Sequence, residues 1–306
     1  MKLFFKKLML YFLFFGMIIL VGILAPTTPR AKDYLLFSKY QKDSLLMKTE
    51  EPRIIFIGGS NLIYGLNSET IKDSFDMNPV NAGSLVSVGL IFMMDNTLEY
   101  VKKGDIVVMA PEYQHFFGRF AYGGNDLFRL LFDVDMSEFS QLRLKHYFNL
   151  IKPIPSYFVS KLNPSHYFNV QKDSVHGADI FNEYGDSSSH WKLGKRPFPV
   201  MNPIKGKLNK SIIREIEVFK TKLNNKGVEL VITFPVIQDA SFDINQVQIS
   251  KVYEELKKSD LKIISDPENY KLPDSLMFDQ PYHPLKTGVD IRTNRLITDL
   301  QFLTSN

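Results

Sequence analysis

Arg53–Glu69 reads R-I-I-F-I-G-G-S-N-L-I-Y-G-L-N-S-E, and its parsing decides the fold. Ile54–Ile57 is a run of four apolar residues rich in β-branched side chains. Bounded by glycine, such a run reads as a buried parallel strand. Gly58-Gly59 permits a tight turn that a side chain would block. Ser60 follows at the strand tip, and Asn67 or Ser68 can cap the next helix, with Glu69 in its first turn. A serine at a strand–turn–helix junction is exposed, and backbone N–H groups there can face a developing oxyanion. The stretch is not a G-x-S-x-G elbow, because Leu62 stands where the second glycine belongs. A plain βα turn that happens to contain serine explains it equally well.

The same alternation continues outward. A helix is predicted over Ser68–Phe75 and a short strand over Pro79–Ala82, ending in Asn81-Ala82-Gly83. A helix over Val88–Val101 is closed by Lys102-Lys103-Gly104, and Asp105–Ala110 is a third buried strand. After a long irregular stretch come a helix over Lys210–Asn224, a strand over Val228–Phe234, a helix over Asn245–Lys258, a short strand over Leu261–Ser265 and a last helix over Lys286–Leu300. Alternating β and α units argue for a parallel sheet covered by helices on both faces, with sites at the carboxyl ends of its strands. Ser60, Gly83 and Pro111-Glu112-Tyr113 all fall at such ends. Glu112 and Tyr113 are therefore candidate substrate contacts, although Tyr113 as core packing is an equal reading.

The irregular stretch interrupts the pattern at residues 116–205. It carries 17 aromatic residues in 90, or 19% against 13% for the whole chain, together with five of the six histidines if His115 is included. Helical pieces are expected at Asp126–Asp133 and Ser137–Leu150. An insertion of this length is more often a lid, a binding surface or a partner contact than a spacer, and an aromatic-cored helical subdomain explains most of its rings.

Composition narrows the function. The 306 residues are 44% hydrophobic with a net charge of +4. Without Lys2, Lys6 and Lys7 the balance is 34 basic against 33 acidic residues, too even for a nucleic-acid surface. The absence of cysteine excludes disulfides, thiolate metal sites and cysteine catalysis. His115, His146, His166, His176 and His190 show no i, i+4 pairing or H-E-x-x-H, and no phosphate-binding glycine motif occurs, so neither metal nor cofactor is expected.

Leu8–Ala25 is uncharged over 18 residues, roughly 27 Å as a helix, close to the hydrocarbon thickness of a bilayer. Three lysines precede it, so residues 1–7 are expected in the cytoplasm, 8–25 in the membrane, 26–52 as a juxtamembrane stalk and 53–306 as the outward domain, periplasmic or at the cell surface. A cleaved signal peptide is the rival, disfavoured by the length of the apolar run and the lack of a clean A-x-A site. Tyr34–Lys48 can form a short amphipathic helix within the stalk.

Phe278–Gly288, F-D-Q-P-Y-H-P-L-K-T-G, sets Asp279 and His283 just before the last helix. A nucleophilic serine needs a base, and the base needs an orienting acceptor. One proline-stiffened loop holds both residue types.

Serine after the first strand, Asn81-Ala82-Gly83 after the second and Asp/His before the last helix resemble the SGNH (GDSL-like) hydrolase superfamily. The similarity spans roughly Arg53 to Leu300 and is greatest to the membrane-anchored branch that includes teichoic-acid D-alanine transfer and alginate O-acetyltransfer proteins. It implies a three-layer α/β/α, flavodoxin-like parallel sheet. It also implies Ser60 as nucleophile, His283 as base, Asp279 as its partner, and the N–H groups of Ser60 and Gly83 in the oxyanion hole. Gly58-Gly59-Ser60 replaces the usual G-D-S, and Asp279 stands four rather than three residues before His283. Pro111-Glu112-Tyr113 replaces the superfamily's oxyanion asparagine, so either another group, Asn61, donates or the hole has fewer members. Asn182–Asp186 resembles a stretch of bacterial members and carries no role its residues dictate. The implied function is an O-acyltransferase or esterase acting on acyl groups, acetyl foremost, of a surface polysaccharide. Transfer would require a membrane protein that delivers acyl groups. The alternative is a non-catalytic, membrane-anchored glycan-binding or assembly protein.

Overall fold

The computed structural model describes residues 1–168 and 170–304. At its centre is a parallel sheet of five strands, β1 (Arg53–Gly58), β2 (Asn78–Asn81), β3 (Ile106–Ala110), β4 (Glu229–Ile232) and β5 (Lys262–Ile263), in the order β2-β1-β3-β4-β5. All six residues of β1 are buried, as expected of a central parallel strand. Side-chain alternation divides them between two cores. Ile55 and Ile57 join Val107, Met109, Leu230 and Ile232, while Ile54 and Phe56 join Val108, Ala110 and Val231. Truncating such a residue, for example Ile55→Ala, costs about 2–5 kcal/mol.

Helices supply the other half of each core. On the first face lie α5 (Leu90–Tyr100), α8 (Lys210–Asn225) and α9 (Asp239–Lys257). On the second lie α3 (Ser60–Gly65), α4 (Ser68–Ser74) and α10 (Lys286–Thr304). α9 begins six residues earlier than predicted, directly after a two-residue strand at Ile237–Gln238. Within the insertion, the helical piece expected at 126–133 is an α-turn over Asn125–Arg129 running into a π-turn over Leu130–Val134. The piece expected at 137–150 is split into a 3₁₀ segment, Met136–Gln141, and α6, Leu144–Leu150. A further helix, α7, spans Ile154–Lys161.

Strand order reverses between β1 and β3, where the chain leaves β1 for β2 on one side and returns to β3 on the other. In open α/β sheets the crevice at that reversal is where ligands bind. Ser60 follows β1 and Glu112 follows β3, so both stand at it.

The N-terminal helix α1, Lys2–Leu24, is long and apolar enough to cross a membrane, and its side chains are exposed except near its end. The segment expected as a stalk is instead part of the domain. Leu35, Leu36 and Leu46 are buried, and α2 (Lys39–Lys48) lays Lys42 into the interior. There the Lys42 amine donates to the carbonyls of Asn81, Gly83 and Gly185 at 3.1, 2.5 and 3.2 Å. Burial pushes this ammonium down to about 7, with nearby Asp186 pulling the other way. Proline breaks and mixed charges suggested a spacer, but the apolar residues between them pack inward.

Candidate active site

Ser60, the first residue of α3, is held at the end of β1 by the extended turn at Gly59. His283 arrives from far along the chain on an antiparallel hairpin, Met277–Gln280 with His283–Pro284. His283 Nε2 lies 2.9 Å from Ser60 Oγ, and His283 Nδ1 lies 2.9 Å from Asp279 Oδ1. With Nδ1–H donated to the carboxylate, Nε2 is the free acceptor for the serine proton. The four-residue spacing of Asp279 and His283 is accommodated by a register shift in the hairpin, which returns Asp279 to the imidazole's far side.

Electrostatics suit this arrangement. Burial pushes the His283 imidazolium down, only partly opposed by Asp279, so the ring is a neutral base near pH 7. Burial would raise Asp279, but hydrogen bonds from His176 and His283 hold its carboxyl well below the ordinary range. No spacing in the sequence singles out His176. Its Nε2 lies 3.1 Å from Asp279 Oδ2, and its Nδ1 lies 2.7 Å from the Tyr64 hydroxyl. Tyr64, one turn after Ser60 on α3, also lays its ring 4.2 Å from the His283 ring, tilted by 33°. Asp279 therefore sits between two imidazoles. The His176 loop is fixed by Asp173, whose carboxylate takes the Val175 and His176 amides, and by Asp33 in the segment after α1, whose backbone carbonyl accepts the Ala178 amide at 2.9 Å.

The oxyanion donors implied by the resemblance are otherwise engaged. The Gly83 amide donates to Asn81 Oδ1 at 3.0 Å. The Asn61 side-chain amide donates to the Ala110 carbonyl at 3.2 Å and to Glu112 Oε1 at 3.4 Å, and its oxygen faces Arg292. The backbone amide of Asn61 also donates to Glu112 Oε1, at 3.3 Å, and Ser60 Oγ stands 3.5 Å from the same oxygen. A Cβ on Gly59 would run into this carboxylate, so a side chain there would require Glu112 to move. Glu112 thus sits across the donors an oxyanion would use. Burial pushes it up to about 7, despite opposing hydrogen bonds from Asn61 and Ser60.

Glu112 and Tyr113 do not line the cavity. Tyr113 is fully buried and stacks on Phe234 with ring centroids 6.3 Å apart, which places it in the core and corrects its reading as a substrate contact. Asn182–Asp186 acquires a role that its pattern did not reveal. Asp186 accepts from the Ser68 amide and hydroxyl at 2.7 and 2.8 Å, capping α4, and from Asn81 Nδ2 at 2.7 Å. Asn81 in turn holds Gly83, so the loop after β2 is clamped from the insertion.

A cavity of about 980 Å³ opens over the serine. Ser60, Tyr64, His176, Gln280 and His283 form its floor; Thr28, Arg30, Asp33 and Tyr34 and parts of the insertion, including Arg129, Lys161 and Lys172, form its walls. Among the described residues no group of three or more His, Cys, Asp or Glu is placed to hold a metal ion. No family model matches the chain, and no curated protein is similar enough to be matched to it.

Proposed function

We propose that the protein is an extracytoplasmic serine esterase or O-acyltransferase of the SGNH type, anchored by α1 with the domain outside, acting on acyl groups of a surface polysaccharide. What supports the reading is the unbroken chain from Ser60 through His283 to Asp279, with both links at 2.9 Å, at the floor of an open cavity. The sheet order and the helices on both faces agree with the three-layer arrangement of that superfamily.

In this mechanism Ser60 Oγ attacks the ester carbonyl while its proton passes to His283 Nε2. The tetrahedral intermediate collapses, the bond to the leaving alkoxide breaks, and His283 returns the proton to it. The acyl group is then on Ser60. His283 next takes the proton of an accepting hydroxyl, which attacks the acyl-serine; the acyl bond to Oγ breaks and His283 returns the proton to it, restoring free Ser60. Water as acceptor gives hydrolysis and a saccharide hydroxyl gives transfer. Transfer needs a membrane protein that brings acyl groups, a partner drawn from the resemblance alone. Asp279 holds the imidazole tautomer and stabilises its cation. Glu112 stands behind Ser60 and the Asn61 amide rather than in the cavity. Its effect on the step is electrostatic: an ionised carboxylate there opposes the developing oxyanion, and a protonated one does not.

The deciding experiment is labelling of the full chain with a fluorophosphonate, read by peptide mass. Modification at Ser60, absent in Ser60→Ala, supports the enzyme. The second reading, a glycan-binding or assembly protein, is favoured by one observation, the Glu112 carboxylate on the Asn61 amide. Folded protein that resists the probe but retains a surface polysaccharide on a column would establish that reading instead.

A further inference from the structure

Outside α1, the surface apolar residues are unevenly spread. Among the described residues, eight of the sixteen exposed large hydrophobics beyond α1 lie between Leu144 and Phe168. On α6 and at its C-cap they recur as Leu144, Phe148 and Ile151, a spacing of four and three that makes one helical face. On α7 and just beyond they continue as Val159, Leu162 and Phe168. These six are 57–74% exposed, the reverse of what a helix facing its own core would show. An apolar surface this concentrated marks an interaction site rather than scatter.

Two observations identify what covers it. The first is continuity with α1. The Phe158 ring lies where a Cβ on Gly22 would sit, and Ile23 is buried in one cluster with Tyr157. Lys161 Nζ reaches the carbonyls of Ala25 and Pro26 at 3.2 and 3.3 Å, just beyond the end of α1. The patch therefore starts where the apolar helix ends. The second is charge. Leu144–Phe168 contains no aspartate or glutamate and shows Lys145 and Lys152 at its surface, Lys161 being buried against Asp133, while Arg30 and Lys32 stand exposed just after α1. Apolar faces flanked by lysine are the pattern of helices that lie in a membrane interface.

We infer that α6, α7 and the segment to Phe168 rest in the outer interface of the bilayer that α1 crosses, so that the cavity over Ser60 opens beside the lipid surface. This rests on the reading of α1 as a membrane span. Ser160, Lys161 and His166 belong both to this region and to the cavity wall, so a substrate carried by the lipid surface would meet the site without crossing bulk water.

The chain has no cysteine, so single cysteines can be introduced without removing any. Nitroxide labels at Phe148→Cys, Val159→Cys and Phe168→Cys are compared with Ile18→Cys on α1 and Val247→Cys on α9. The full chain is reconstituted in nanodiscs of phosphatidylcholine and phosphatidylglycerol. Oxygen and a water-soluble nickel chelate report depth by power saturation. The expected result is labels at 148, 159 and 168 roughly 5–10 Å into the headgroup–acyl boundary, Ile18 deeper, and Val247 in water. Labels at the three sites as accessible to nickel as Val247, with Ile18 still in lipid, overturn the inference and leave the anchor intact. Nickel access at Ile18 removes the anchor and the inference together. Protection of the three sites from both reagents overturns the lipid assignment in favour of a protein cover.

Discussion

Strand β3 carries a buried carboxylate at each end, and the two are treated in opposite ways. Asp105, just before it, is matched by Arg53, whose Nε and Nη2 reach its two oxygens at 3.0 and 2.5 Å. The Lys102 amide adds a third bond, and Arg53 also meets the backbone carbonyls of Leu46 and Tyr100. Glu112, just after the strand, is equally buried but meets the neutral donors of Ser60 and Asn61. A paired charge ties α2, β1, α5 and β3 together. A carboxyl among neutral donors is left near the pH at which it changes state, beside the serine. One end of the sheet serves the fold, and the other holds the proposed chemistry.

The comparison breaks most sharply through the serine and histidine. Ser60→Ala or His283→Ala should lower p-nitrophenyl acetate turnover by about 10⁴-fold or more, with the double variant scarcely worse than either. Asp279→Asn should cost up to about 10⁴-fold through the wrong tautomer. Circular dichroism of all these variants should match wild type, since none of the three residues belongs to the hydrophobic clusters on the two faces of the sheet.

At the other end the loss should appear in stability. Asp105→Ala leaves a buried guanidinium without its partner, a change that typically costs about 3–5 kcal/mol. Urea unfolding of the full chain in detergent measures it. An unchanged midpoint would mean that Arg53 has another way to be satisfied.

Glu112→Gln tests the opposite end by pH. The Glu112 carboxyl ionises near pH 7 when folded, against an ordinary value of 4.5. Its protonation therefore contributes stability that is fully present below about 4.5 and is lost as pH rises through about 7. Glutamine does not titrate, so at pH 8–9 the variant should be more stable than wild type, on the order of 3 kcal/mol. Wild-type turnover should fall above pH 7, and that alkaline fall should vanish in the variant. A fall that persists unchanged would assign it to another group.

The smallest effect is expected at His176. Removing one of the two imidazoles on Asp279 with His176→Gln should cost about 1 kcal/mol, roughly fivefold in rate. His176 also helps hold the His283 imidazolium down, so the acid limb of the rate profile should move to higher pH in the variant. A purely structural role would leave that limb in place.

What was legible in the sequence was whatever depends on near neighbours. The run Ile54–Ile57, the glycines after it and the alternation on either side are local patterns, and the five parallel strands follow them. Ser60, Asp279 and His283 each have a bland reading as turn or loop residues, and it was their combination and their order along the chain that made them stand out. The rest was hidden by distance along the chain. Nothing near Ser174–Gly177 announces that His176 will meet Asp279, more than a hundred residues away. Glu112 was visible as a departure, but its position across the Asn61 amide depends on how β1 and β3 lie side by side. Tyr113 reads the same in sequence whether it faces a cavity or Phe234.

The juxtamembrane segment has a consequence for reach. A disordered tether of 26–52 would let the domain wander, with a root-mean-square span of roughly 30 Å. Instead Lys42 is bound to three backbone carbonyls, and Asp33 is bound to the loop that carries His176. With α1 in a bilayer, Ser60 is mounted like a tool on a fixed stand, at one height and with a very small search volume. If the surface polysaccharide of the proposed function is the substrate, that polymer, or whatever carries its growing end, would have to pass through that height, so modification would follow the order in which segments emerge rather than their abundance at the surface.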